Sequence, residues 1–300
     1  MTREKNPRQI RVSPGRALRD AAAEGCLLIP GAPNALVAKM IERQGFEAVY
    51  LSGAVLSAGV LGLPDVGLFT LTELVQHAAY LTRGVNLPVI VDADTGFGEA
   101  VNVERTVVEL EGAGVAAIQL EDQQLPKRCG HLSGKSLVEA EAMCAKLRAA
   151  VGARNDPDLV LIARTDARGV TNLDDALDRA RRYLDAGADW IFPEALASRD
   201  EFARFADEIK APLIANMTEF GKSPLLTYDE LAELGYAAVL FPVTLFRVAM
   251  KATEAALALL ASEGTQRELL DLMQTRDELY DLLGYRDFED RDRAYFRPSS

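Results

Sequence analysis

Histidine, cysteine and tryptophan are scarce in this chain, and basic side chains are outnumbered: 2 His, 3 Cys and 1 Trp accompany 45 acidic and 33 basic residues in 300. Two histidines, His77 and His131, cannot build a histidine-rich transition-metal centre, so a metal would be held by oxygen. Cys26, Cys129 and Cys144 are odd in number and lack a C-x-x-C spacing, which excludes a disulfide framework and a thiolate zinc site. The net charge of -12 repels polyphosphate backbones and anionic membrane surfaces, so neither nucleic acid nor membrane is an expected partner. No apolar run reaches the length of a membrane span, and the polar, basic residues 1–16 lack a signal-like apolar core. A cytoplasmic location is expected.

What the chain does have is a hydrophobic content of 49%, enough for one substantial core, and a repeating alternation of elements. In four places a glycine closes an amphipathic helix and a short apolar strand follows: FEAVYLS after Gly45, VAAIQLED after Gly114, ADWIFPEA after Gly187 and YAAVLFP after Gly235. Glycine suits the left-handed position just beyond a helix. Runs introduced by proline lie between them (LPVIVDAD, DPDLVLIARTD, APLIANMT), and CLLIP at 26–30 completes eight. Each is too continuously apolar for a half-exposed strand, which predicts parallel strands covered by helices with stripes such as Leu36/Val37/Met40/Ile41 and Val103/Val107/Leu110. Eight such alternations predict a (β/α)8 TIM-type barrel in the α/β class. Residues 1–300 form one domain on this reading, with an N-terminal arm at 1–16 and additional C-terminal helices and tail at 244–300. Residues 244–262 and 265–283 are expected as helices, and the charged, aromatic ending as an irregular surface tail.

Barrel enzymes gather their chemistry where strands end. Here those ends carry Ser52-Gly53, Asp92 and Asp94, Glu121-Asp122, Arg164 and Asp166, Glu194, and Asn216 with Thr218. Any one of the small polar residues could simply cap the next helix. Arg164 and Glu194 do not fit that role, and a guanidinium among carboxylates predicts a site for a cation and an anionic ligand. The run DADTGFG is not a calcium hand, since Phe97 stands where that loop needs glycine, and it has no second copy to form an acid-protease pair. Asp92 and Asp94, two residues apart at a strand end, are candidate ligands for one octahedral ion, Mg²⁺ by preference and Mn²⁺ as a possibility.

After the fourth strand, residues 123–134 form a polar stretch with Pro126, Gly130 and Gly134 that reads as a hinged lid. Cys129 lies among Lys127, Arg128 and His131, cations expected to favour its thiolate. Cys144 and Cys26 read as core residues, and His77 as a helix residue without a site role.

The loop Lys127-Arg128-Cys129-Gly130-His131 resembles the signature of the isocitrate lyase and phosphoenolpyruvate mutase superfamily, in the form carried by the 2-methylisocitrate lyases. The resemblance extends through YLSG, LGLPD, DADTGFG, ARTDA, FPEA, NMTEFG and MQTRDELY. It implies a barrel whose eighth helix swaps between subunits, a homotetramer, and a Mg²⁺ cofactor. The implied activity is cleavage of 2-methylisocitrate to pyruvate and succinate in the methylcitrate route of propionate catabolism. Catalytic roles would fall to Cys129, Lys127, His131, Tyr50 and Glu121. Tyr50 is one candidate for taking the hydroxyl proton, and Glu121 for orienting metal-bound water. Substrate contacts would fall to Ser52, Gly53, Ala54, Gly130, Arg164, Glu194, Asn216, Met217, Thr218, Arg247 and Arg276, and Phe192 and Leu240 would flank a methyl-sized niche.

Related lyases acting on 2,3-dimethylmalate or isocitrate are the alternatives. Isocitrate lyases resemble this chain in the loop but usually carry Lys-Lys-Cys-Gly-His, insertions, and a bulkier aromatic residue matching Phe192. A Schiff-base aldolase would want a lysine within a late strand, and Lys210 lies at the wrong end of the seventh. A catalytically silent binding protein would have no reason to keep the loop cysteine and both aspartates.

Overall fold

The computed structural model describes residues 12–296 apart from residue 133. Strands and helices alternate as the sequence predicts: β1 (Leu27–Pro30), β2 (Val49–Leu51), β3 (Val89–Asp92), β4 (Ala117–Glu121), β5 (Val160–Thr165), β6 (Trp190–Pro193), β7 (Ile214–Asn216) and β8 (Ala238–Phe241). All pair in parallel, in one ladder of order β2-β3-β4-β5-β6 and another of order β1-β8-β7. Single parallel bridges, Gly31 to Tyr50 and Ile191 to Leu213, join the two ladders at both edges. The strands therefore follow one another in cyclic order, as in a (β/α)8 barrel.

Side chains alternate between two apolar layers because successive strand residues point to opposite faces. Val91, Ile118, Leu161, Ile191, Ala215 and Val239 pack outward against the helices. Ile90, Ala117, Ile162, Trp190, Ile214 and Ala238 fill the interior, joined by Leu18 from the helix Pro14–Glu24. That helix runs through the end of what the sequence reads as an arm: Ser13 caps it and accepts from the Arg16 amide at 3.2 Å. Arg19 ties it to the barrel through Asp189 at 2.8 Å.

The chain divides into two compact units, Met1–Phe246 and Arg247–Ser300. In the second, the single helix expected over 265–283 is two elements, a 3-10 helix Arg267–Leu272 and a helix Arg276–Leu283. Thr275 and Glu278 form a reciprocal cap there, starting a new helix where the pattern alone suggested continuation. The ending expected to be irregular is a helix, Tyr285–Tyr295, and Tyr285 stacks on Tyr280 with ring centres 4.6 Å apart. No helix among the described residues is long and apolar enough to cross a membrane.

The glycine that precedes β6 shows how the repeat is enforced. Gly187 has φ +103°, and a β-carbon there would lie 2.7 Å from a Val151 methyl, whereas Gly45, at φ +84°, has open space around it. Gly45→Ala should cost about 1–2 kcal/mol of conformational strain, and Gly187→Ala should cost more because the steric clash adds to it. Urea unfolding midpoints of the two variants test this, and equal losses would contradict the steric part.

Candidate active site

The strand ends converge as buried acids around one guanidinium. Arg164 places Nε 3.0 Å from Asp166 and 3.4 Å from Glu121, and its Nη1 3.6 Å from Glu194. Its carbon centre lies 5.2 Å from the Phe192 ring, so a cation–π contact supports it from below. Burial disfavours the charge, but Asp166, Glu194 and Glu121 outweigh it and hold Arg164 firmly protonated. Burial raises the Glu194 carboxyl, yet Arg164, His131 and Lys135 together hold it down at about 2. Glu121 is different: burial dominates and its carboxyl is raised well above the usual range.

Two strands away from Arg164, the chain turns sharply after β3. Asp94 has φ +48° and Phe97 +60°, left-handed conformations that residues other than glycine seldom adopt and that concentrate at functional sites. Asp92 accepts from the Asp94 amide at 3.1 Å, from Gln119 Nε2 at 3.2 Å and from the Gly53 amide at 3.2 Å. A β-carbon on Gly53 would stand 3.0 Å from Asp94 Oδ1 and 3.2 Å from Asp92 Oδ2, so the glycine lets backbone lie against both aspartates. Asp94 is raised to about 7 by burial and by the Asp92 carboxylate, against the opposing pull of Lys127.

The loop after β4 lies folded over this rim. Lys127 Nζ contacts Asp65 and stands 2.7 Å from Asp94 Oδ1. His131 Nε2 stands 2.7 Å from Glu194, while its Nδ1 accepts from the Lys222 amide at 2.9 Å. Lys127 and His131 therefore turn their side-chain nitrogens toward carboxylates of the rim. Gly130 rests flat on the rim: a β-carbon would lie 2.4 Å from an Arg164 nitrogen and 2.5 Å from Glu194 carbons.

Most of the residues expected at the site are brought together. Tyr50, Ser52, Ala54, Asp92, Glu121 and Lys127 line one cavity with Cys129, Gly130 and His131. Its other wall holds Arg164, Phe192, Glu194, Asn216, Thr218 and Leu240. Met217 is not among them. Strand alternation turns it outward into the helix-facing apolar layer, where it is 2% exposed. Arg247 lies on the helix Thr244–Glu263 and Arg276 opens the helix Arg276–Leu283, both in the second unit. Tyr50 donates its hydroxyl to Gln119 Oε1 at 2.9 Å, and burial together with Asp92 raises its pKa well above the ordinary tyrosine value.

Three contributors had no expected catalytic or binding role of their own, although Asp166 is among the polar strand ends. Gln119 links Tyr50 to Asp92; its signal is a polar side chain at an inward position of an otherwise apolar strand. Asp65, in the LGLPD run, receives Lys127, and Asp166, at the end of β5, receives Arg164. Among the described residues no three histidine, cysteine or carboxylate side chains cluster as a ready metal cage. Mg²⁺ does not require one, because it commonly binds one or two carboxylates and keeps several waters. Glu121 Oε1 is buried without a hydrogen-bond partner, and Asp94 Oδ1 has only the Lys127 ammonium beside it. This acid-rich, incompletely satisfied pocket fits such an ion.

Residues 17–261 match the family model described as phosphoenolpyruvate phosphomutase. The chain belongs to that family. It is 56% identical to a 2-methylisocitrate lyase of Aeropyrum pernix over 95% of this chain and 92% of the relative, and 48% identical to one of Salmonella typhimurium over 95% and 97%. A crystal structure of 2,3-dimethylmalate lyase superposes with a TM-score of 0.89 at 34% identity, covering 95% of this chain and 96% of that one. A phosphonopyruvate hydrolase solved with oxalate and Mg++ gives 0.85 at 30% identity, covering 95% and 100%.

The depressed Glu194 carboxyl gives a pH prediction. Its ordinary value is 4.5 and its folded value about 2, so its ion pairing stabilises the protein fully above 4.5 and is lost as pH falls toward 2. The stability difference between the wild type and Glu194→Gln, read from urea unfolding, should be largest above pH 4.5 and vanish by about 2. A gap that persists at the acid end would refute the assignment.

Proposed function

We propose that this protein is a Mg²⁺-dependent carbon–carbon lyase that cleaves 2-methylisocitrate to pyruvate and succinate. The observation that carries the reading is Cys129 lining the same cavity as Arg164 and Asp92, on a loop folded over them. Cleavage of the C2–C3 bond requires loss of the C2 hydroxyl proton and leaves a carbanion beside a carboxylate of the departing succinate. Both charges need stabilisation. Asp92 and Asp94 would hold the ion, with Mn²⁺ an alternative, and the bound ion would supply Lewis acidity toward the hydroxyl and its neighbouring carboxylate.

The chain's own residues do the rest. Arg164, planar and fixed by Asp166, clamps a substrate carboxylate. Asn216 donates to Glu194 at 3.2 Å while its Oδ1 is left without a partner, so it is oriented toward a ligand donor. The folded loop excludes water from the carbanion, and the Cys129 thiol delivers its proton to that carbon, forming the new C–H bond of succinate. Lys127 lies between Asp65 and Asp94 and balances their charge beside the reacting hydroxyl. Phe192 and Leu240 present apolar surface to the C2 methyl.

The same reading carries a cytoplasmic enzyme of propionate catabolism and a homotetramer with exchanged C-terminal helices, to which Arg247 and Arg276 would contribute. In support, the helix Thr244–Glu263 buries no side chain, and Val248 and Leu257 are 64% and 61% exposed. The likeness to 2,3-dimethylmalate lyase favours one second reading, a lyase for that smaller hydroxy acid.

A panel of 2-methylisocitrate, isocitrate and 2,3-dimethylmalate, assayed for Mg²⁺-dependent 2-oxo acid release, decides the substrate. We expect 2-methylisocitrate to exceed isocitrate by at least about tenfold in kcat/KM, the worth of one methyl in an apolar pocket. Preference for another member of the panel would reassign the substrate. Cys129→Ser should bind Mg²⁺ normally by calorimetry while turnover drops about 10²-fold or more, and near-normal turnover would eliminate the proton-donor role.

A further inference from the structure

Lys135 is a buried cation for which the chemistry above has no use. Its side chain is 1% exposed, and its Nζ stands 2.6 Å from Oδ1 of Asp166, whose side chain is 0% exposed. The same ammonium donates to the Gly130 carbonyl, inside the loop that carries Cys129. Asp166 in turn grips Arg164, accepting from Nε at 3.0 Å and from Nη2 at 3.2 Å. One carboxylate therefore joins the substrate-side guanidinium to the cation that holds the loop.

The backbone around Lys135 explains how it can act as a fixed post. Residues 123 and 137 form an antiparallel bridge, and the Gln124 amide donates to the Ser136 carbonyl at 2.8 Å, so Lys135 projects from the top of a short stem anchored at the end of β4. Gly134, with φ +79°, separates that stem from the loop. At the base of the stem, Gln123 clasps the neighbouring residue from both sides: its Nε2 donates to the Arg128 carbonyl at 2.8 Å and its Oε1 accepts from the Arg128 amide at 2.9 Å. Cys129 thus lies between two pinned carbonyls, Arg128 held by Gln123 and Gly130 held by Lys135. A buried ammonium is retained only where its partners compensate for lost hydration. Opening the loop would strip the Gly130 carbonyl from Lys135 and leave Asp166 to hold it alone.

We propose that Lys135 is a positioning residue that latches the Cys129 loop shut and couples its closure to the Arg164 clamp. The kinetic part of this rests on the lyase reading above; the latch itself does not. Removing the ammonium leaves Asp166 still paired with Arg164, so the variant Lys135→Met disturbs the loop more than the rim.

The test compares wild type, Lys135→Met and Lys135→Arg. In the ligand-free proteins, amide exchange across residues 125–132 and iodoacetamide alkylation of Cys129 should be at least tenfold faster in Lys135→Met and partly restored in Lys135→Arg. With 2-methylisocitrate and Mg²⁺, Lys135→Met should raise KM and lower kcat/KM at least tenfold. A merely structural role would lower the folded fraction and apparent kcat while leaving KM and Cys129 reactivity per folded molecule unchanged. If Lys135→Met does not fold, Lys135→Gln, which keeps a donor without the charge, is read the same way. Unchanged exchange and alkylation would overturn the latch even in an active lyase. Faster exchange with unaltered kcat/KM would overturn its coupling to the clamp. A wild type that turns over no hydroxy acid, yet shows the Lys135-dependent protection, would retain the latch and remove the lyase reading.

Discussion

Three carboxylates, Glu121, Asp166 and Glu194, approach the single guanidinium of Arg164 inside a rim that admits almost no water, and the Phe192 ring lies beneath it. Each of these acids would be costly to bury alone. A planar cation with donors on several edges can serve more than one of them at once, which an ammonium cannot do with fixed geometry. The position of Arg164 follows from backbone arithmetic: inward-facing residues of neighbouring parallel strands fall at one level, and residue 164 pairs in register with Glu121 on one side and Phe192 on the other. Barrel closure and site electrostatics are therefore one constraint.

The loop and its stem dock on this rim by bringing side-chain nitrogens to its acids, two of which, Glu194 and Asp166, are also paired with Arg164. Lys127 goes to Asp65 and Asp94, His131 to Glu194, and Lys135, at the stem, to Asp166. Gly130 allows the approach, since any side chain there would collide with Arg164 and Glu194. The folded loop and its stem thereby set Lys127 and Lys135 against buried carboxylates, and Cys129 lines the cavity beside them.

Much of this was legible in the residues themselves. The eight apolar runs, the left-handed glycines after helices and the polar strand ends predict the barrel and most of the cavity lining, because each rests on local backbone geometry. What escaped depends on parity and partnership. Met217 belongs to the right segment but faces outward by strand alternation. Gln119 was visible as a polar residue in an apolar strand, yet its tie to both Tyr50 and Asp92 needs three strands in register. Lys135 looks like an ordinary loop lysine until folding buries it, and the helical tail from Tyr285 is hidden by a charge pattern that also fits irregular chain.

The central claim is that a fixed Cys129, held over one face of the cavity, delivers the proton that completes the reaction. Its most direct test is the stereochemistry of that delivery. Turnover of 2-methylisocitrate in D₂O should give succinate carrying one deuterium on a single prochiral face, because the thiol exchanges with solvent but approaches the carbanion from one side. Monodeuterated succinate formed as a racemate would mean that solvent, not a positioned thiol, protonates the carbanion, and would contradict the account.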